Sequence, residues 1–217
     1  MVKISTVHQI ELTSRCNLRC HYCPHPALQR PKADMSMDVY KAALAWAQTM
    51  ESPELSLTGM GEGTLHPQFC EMLRMAREAL PETKLLLSTN GINITDEMLA
   101  AMRETKTILW ISAHRPEIAG RTLQRSLRAG VMTGINNHII DSGFNWAGQV
   151  DWHVSAAPSR CMWQAQGMAI AWADGRLGTC SFDGQGSDGV LGTVWDDPAT
   201  IYIKPYSLCK NCHQTIN

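Results

Sequence analysis

"ELSLTGMGEGTLHPQFCEMLRMAREALPETKLLLSTNG", residues 54–91, holds one complete structural unit. It opens on "ELSLTG" (54–59), a short strand-like run stopped by glycine. "PQFCEMLRMAREAL" (67–80) follows, opening with proline and placing Phe69, Leu73, Ala76 and Leu80 on one helical face. "KLLLSTNG" (84–91) is a second strand, and its continuous apolar run predicts cover on both faces. A strand, a helix and a strand joined by short links form a right-handed crossover between parallel strands.

The alternation continues in both directions. "HQIELT" (8–13) predicts the first strand, and "SMDVYKAALAWAQTM" (36–50) a helix capped by Ser36, with Asp38 in its first turn. Downstream, 95–105 and 116–130 read as helices, and 107–113, 136–140 and 149–154 as strands. The fold class is therefore α/β: a partial, open β/α barrel of about six units, since a closed eight-fold barrel takes roughly 250 residues. In such a sheet the site lies at the carboxyl ends of the strands. Near Ser155 the pattern changes. "MAIAWADGRLGTCSF" (168–182) reads as a hairpin turning at Asp174 and Gly175, followed by a short strand (189–197) and a loop-like tail. Two domains are expected: the barrel at 1–154 and a small hairpin-and-loop domain at 155–217.

A hydrophobic content of 44% suffices for a core and argues against disorder. The net charge of -1 gives no sign of a nucleic-acid partner. No apolar run reaches the ~20 residues that cross a bilayer, and the first residues lack the apolar stretch of a secretory signal. A cytoplasmic protein is expected, in which the eight cysteines form no disulfide framework and the clustered ones serve metal or redox chemistry.

Cys16, Cys20 and Cys23 follow the first strand as C-x3-C-x2-C. Thiolates suit zinc or iron-sulfur clusters. Three could hold three corners of a four-iron cluster, or His21 or His25 could add a fourth ligand for zinc. Cys161, Cys180, Cys209 and Cys212 form a second set, enough to close either kind of site. Cys70 lies beside the apolar face of its helix and reads as a buried free thiol. "GMGEG" (59–63) has neither dinucleotide-fingerprint spacing nor the Gly-Lys of a P-loop. His66 and His138 read as structural, and Trp146 falls at the junction of the two parts.

"CNLRCHYC" (16–23), with Tyr22 as the aromatic before the third cysteine, is followed in order by "TGMGEGTLHP" (58–67) and "LLSTNG" (86–91). The set resembles the radical S-adenosylmethionine (SAM) enzymes, over the chain to about residue 154. "ADGRLGTC" (173–180), "LGTV" (191–194) and "LCKNC" (208–212) are similar to the twitch domain, the shortened SPASM extension of that superfamily.

The resemblance implies a 4Fe-4S cluster on Cys16, Cys20 and Cys23 whose open iron is chelated by SAM. It implies that Tyr22, Gly59, Met60, Gly61, Glu62, Ser88, Asn90, Ser112 and Arg115 line the cofactor. Cys161, Cys180, Cys209 and Cys212 would hold an auxiliary 4Fe-4S cluster; the chain ends five residues past Cys212, so one such cluster is expected. The implied reaction is reductive cleavage of SAM and abstraction of a substrate hydrogen atom. A net oxidation follows, either dehydrogenation or peptide cross-linking, with a flavodoxin- or ferredoxin-type electron donor. Asp183 is a candidate proton acceptor. The first strand begins near His8, so no peptide-binding domain is expected ahead of it, and the substrate, peptide or small molecule, stays open. The alternatives are a redox-neutral isomerase or epimerase and a non-catalytic zinc-binding module.

Overall fold

The computed structural model describes residues 1–136, 145–151, 159–186, 188–212 and 214–215. After a short β1 (Val2–Lys3), five strands pair in parallel: β2 (Thr6–Ile10), β3 (Glu54–Ser56), β4 (Lys84–Thr89), β5 (Ile108–Ser112) and β6 (Thr133–Asn136). Helices α1 (Met37–Thr49), α2 (Phe69–Ala79), α3 (Asp96–Glu104) and α4 (Pro116–Arg128) make the crossovers. The strand expected at 136–140 starts earlier, at Thr133, and residues 137–140 lie outside the described residues. In the strand expected at 149–154, residues 149–151 are turn and bend, and the rest lies outside the described residues. So does the expected boundary at 154/155.

The later strands are β7 (Ser159–Arg160), β8 (Met168–Ala171), β9 (Arg176–Gly178), β10 (Val190–Thr193), β11 (Tyr202–Ile203) and β12 (Gln214–Thr215). β8 pairs in parallel with β2, and β9 and β10 follow antiparallel. Among the described residues the main sheet therefore has eight strands, in the order β10-β9-β8-β2-β3-β4-β5-β6. The predicted hairpin does turn at Asp174 and Gly175, and Gly175 takes the φ of +84° that favours glycine. It continues the main sheet beyond β2.

Alternation along each strand sets the two faces. Leu55, Leu85, Leu87, Leu109 and Ile111 are fully buried, in one cluster with Phe69, Met72 and Leu99 of the helices. The residues between them, Ser56, Leu86, Ser88 and Ser112, are half-buried, and Trp110 is exposed. β4 is thus not covered on both faces as its apolar run suggests. Helices cover one face, and the other face stays accessible.

Ser36 caps α1: its Oγ accepts from Val39 N–H at 3.3 Å. Ser36→Ala should cost ~1 kcal/mol, read as a lower urea midpoint at unchanged slope. Pro67 stands ahead of α2 instead of opening it, because a 3-10 turn at Gly63–Leu65 occupies the approach and the helix starts at Phe69. No helix of the described residues is long and apolar enough to cross a membrane.

Candidate functional site

The carboxyl ends of the parallel strands open onto a cleft of ≈ 300 Å³. The loop after β2 brings Cys16, Cys20, Tyr22 and Cys23 to its wall, and the loop after β3 brings Gly59, Met60, Gly61 and Glu62. Ser88, Asn90, Ser112 and Asn136 stand at the strand ends, with Trp146 and Phe182 joining the wall from later in the chain. Every residue expected around the cofactor lines this cleft except Arg115. That side chain is exposed, because the chain turns after β5 and makes Arg115 the N-cap residue of α4.

The glycines permit a close approach of two loops. A Cβ on Gly61 would stand 2.2 Å from the carbonyl oxygen of Thr13 and 2.5 Å from that of Arg15. Glu62 N–H donates to the Arg15 oxygen at 2.7 Å. The Glu62 carboxylate accepts from the Thr64 hydroxyl (2.8 Å), the Thr89 hydroxyl (2.7 Å) and Asn90 N–H (2.7 Å). It lines the cleft and also ties the end of β4 to the glycine loop. Asn90 Nδ2 donates to Asn17 Oδ1 at 2.7 Å, extending the tie to the cysteine loop.

The Tyr22 hydroxyl lies 2.7 Å from His114 Nδ1. Burial raises the tyrosine pKa and lowers that of His114. The Trp146 indole N–H donates to the Tyr22 carbonyl at 2.9 Å, and its ring meets Phe182 edge-on, with centroids 5.5 Å apart. Trp146 and Ala147 both take left-handed backbone angles (φ 52° and 58°), a conformation that persists only where the surroundings enforce it.

The zinc reading of the triplet needs a histidine. His25 is buried with Nε2 on the Ser14 carbonyl at 3.0 Å, and His21 is exposed, edge-on to Tyr22. His25 Nδ1 is a buried polar atom without a hydrogen-bond partner. Among the described residues, no three Cys, His, Asp or Glu side chains gather closely enough to hold a single metal ion. His66 is structural: Nε2 lies 2.9 Å from the Met35 carbonyl and Nδ1 accepts from Gln68 N–H. His138 lies outside the described residues.

Cys161, Cys180, Cys209 and Cys212 line one second pocket, with Trp163, Gln164 and Tyr206. Gln164 Nε2 donates to Cys209 Sγ, and Phe182 N–H to Cys180 Sγ, both at 3.4 Å. Burial raises the Cys16 and Cys209 thiols, and pushes Cys23 up to about 11 and Cys180 up to about 12. Half-buried sulfurs spread around a cavity suit an iron-sulfur cluster, whose positive iron would displace the protons. All eight cysteines are free thiols, and Cys70, expected to be buried, packs half-buried against the core.

Asp183 is fully buried and lines neither cavity. Its Oδ1 accepts from Gly186 N–H at 3.0 Å, a bond within its own turn. The sequence reading missed Glu11 and Arg30, a buried ion pair at 2.7 Å. The available signal was an acid between Ile10 and Leu12 at a strand end, where an unpaired charge is costly.

Residues 10–125 match the family model described as the Radical SAM superfamily. The chain is 39% identical over 98 residues to the tungsten-containing aldehyde ferredoxin oxidoreductase cofactor-modifying protein of Pyrococcus furiosus, covering 44% of this chain and 26% of that protein. It is 33% identical over 96 residues to the PqqA peptide cyclase of Rhodopseudomonas palustris, with 44% and 25% covered. To the S-adenosyl-L-methionine-dependent 2-deoxy-scyllo-inosamine dehydrogenase of Niallia circulans it is 26% identical over 106 residues, with 48% and 42% covered. The chain thus spans less than half the length of these relatives in each match. Among solved structures, BtrN in complex with AdoMet and 2-DOIA superposes with a TM-score of 0.71 at 20% identity, covering 92% of this chain and 86% of that one. Native anSMEcpe with bound AdoMet and Kp18Cys peptide gives 0.64 at 14% identity, covering 89% and 78%. At such identities the likeness establishes the fold alone, a mixed α/β architecture with a parallel-strand sheet.

Proposed function

The chain belongs to the radical SAM superfamily and is an enzyme of that kind; we propose that Cys16, Cys20 and Cys23 hold a 4Fe-4S cluster that takes SAM in the cleft. Cys161, Cys180, Cys209 and Cys212 hold an auxiliary 4Fe-4S cluster, and residues 155–217 supply it. The observation that carries this reading is the gathering of three thiols, the glycine loop and the strand ends on one cleft.

When bound, the first cluster supplies an electron that cleaves SAM reductively, so that a hydrogen atom can be taken from the substrate. The chain's own residues bind and orient. Gly59 and Gly61 bring backbone carbonyls to the cofactor's amino group, beside Glu62. Ser88, Asn90 and Ser112 offer hydroxyl and amide groups to its ribose and carboxylate. Tyr22, fixed by His114 and Trp146, walls the cleft, and Phe182 with Trp146 helps to exclude water.

The net reaction is an oxidation, by dehydrogenation or peptide cross-linking. Support comes from the second set of thiols. Four ligands leave no position for substrate, which suits electron transfer, and Phe182 lines both cavities and so adjoins both sites. Relatives named as a dehydrogenase and as a peptide cyclase agree with this class. A redox-neutral isomerase or epimerase would leave the second site unused, and family membership removes the non-catalytic zinc module. A flavodoxin- or ferredoxin-type protein would supply the first electron.

Anaerobically purified protein should be brown, with about eight iron and eight sulfide per chain. With SAM and reductant it should release 5′-deoxyadenosine. A colourless, zinc-loaded protein would sink the reading, and a redox-neutral product with dispensable Cys161 and Cys180 would sink its oxidative part.

A further inference from the structure

Glu11 follows β2 directly, and its side chain has no exposed surface; Arg30, downstream of the cysteine triplet, is 3% exposed at the side chain. One guanidinium nitrogen of Arg30 meets Glu11 Oε2 at 2.7 Å. The same oxygen accepts from Met60 N–H at 2.8 Å, and Oε1 accepts from Ala173 N–H at 3.2 Å. Arg30 Nε donates to the Gly184 carbonyl at 2.5 Å. Five stretches of chain converge here: the end of β2, the segment after the triplet, the glycine loop, the hairpin turn and the loop after Cys180.

Two contacts reinforce the junction. A Cβ on Gly184 would stand 2.9 Å from Met60 Cγ, so these two loops touch directly. The Gln185 side chain accepts from Gln29 N–H at 2.7 Å and donates to the Ala27 carbonyl at 3.0 Å. Burying two charges carries a desolvation penalty, and apolar residues of similar volume often stabilise a fold as well. Stability alone therefore does not account for the pair. A carboxylate can gather donors from three separate segments into one geometry, which no apolar side chain can do.

The Met60 contact bears on the cleft. In a trans peptide the C=O and N–H point in opposite directions. Anchoring Met60 N–H on Glu11 turns the Gly59 carbonyl away from the buried pair, and Gly59 lines the cleft.

We propose that Glu11 and Arg30 are positioning residues: they orient the peptide between Gly59 and Met60 for SAM and join it to the loop after Cys180, so that SAM binding is felt at the four-cysteine pocket. The proposal rests on the reading of the cleft as the SAM site. By linkage, the state of the second site affects SAM affinity by the same factor.

The test compares wild-type holoenzyme, reconstituted anaerobically, with Glu11→Gln and with the double variant Glu11→Leu, Arg30→Met. The double variant removes both charges at similar volume and is the one expected to keep the fold. Two quantities are read: the SAM dissociation constant by equilibrium dialysis, and amide hydrogen exchange of residues 59–62 and 180–186 with and without SAM. Both variants should bind SAM about tenfold more weakly, a loss of about 1.4 kcal/mol. Exchange at 59–62 should rise without SAM, and the SAM-induced protection of 180–186 should disappear. A folded double variant that binds SAM within about twofold of wild type, or keeps that protection, overturns the proposal. Wild-type protein that binds no SAM overturns the reading of the cleft instead. The SAM-free exchange then decides the joining: unchanged rates at both loops in the double variant refute it.

Discussion

Cys20→Ala should abolish SAM cleavage, by a thousandfold or more, and halve the iron content from about eight to about four per chain. The cleft wall carries three thiols, and alanine in place of one leaves two. A cluster held by two residues loses its seat, and with it the electron that opens the barrier. A thousandfold loss is about 4 kcal/mol of transition-state stabilisation. The four-cysteine pocket shares no cysteine with the cleft, so the iron proposed there should remain. The measurement is 5′-deoxyadenosine per chain under reductant, alongside iron analysis. Retained cleavage, or loss of all the iron, would contradict the assignment of ligands to two separate sites.

The second large effect is expected at Gly61. An alanine methyl there would press on three backbone atoms, those of Thr13, Ser14 and Arg15, at 2.2 to 2.8 Å. Backbone cannot rotate aside as a side chain can. The Arg15 carbonyl is also held by Glu62 N–H, so the cysteine loop can retreat only by breaking that bond. Overpacking usually costs 1–3 kcal/mol, and a clash with fixed backbone belongs at or above the top of that range, ~3 kcal/mol. Gly120 is the control. It lies within α4, nothing stands within 4 Å of its would-be Cβ, and Gly120→Ala should stabilise by about 0.5–1 kcal/mol through helix propensity. Urea unfolding of both variants reads the two signs directly. A Gly61→Ala protein as stable as wild type would mean that the two loops are not pressed together.

What was legible in the chain was local. The Ser36 cap, the apolar stripe of α2, the turn at Gly175 and the placing of cysteines and glycines after strand ends all depend on neighbours within a few residues. What escaped depends on distant partners. Glu11 acquires its meaning from Met60, Ala173 and Arg30, which no local pattern connects. Asp183 and Arg115 follow strand ends or hairpins just as the true lining residues do. Their side chains part ways only through a turn that folds one inward and a helix start that leaves the other in water. Leu86 sits in an apolar run, and nothing in that run tells that one face of the sheet is left uncovered.

The pairing of β8 with β2 has a consequence for biosynthesis. β2 leaves the ribosome well before one of its two neighbours in the sheet, the segment Met168–Ala171. Until that segment emerges, the strand that carries the first cysteine loop is an open edge, with unpaired N–H and C=O groups able to recruit another chain. Such non-local pairing is slow to form. Over the same interval Glu11 lacks Ala173 and Arg30 lacks Gly184, so a nascent chain holding all of the triplet has not yet built the floor beneath it.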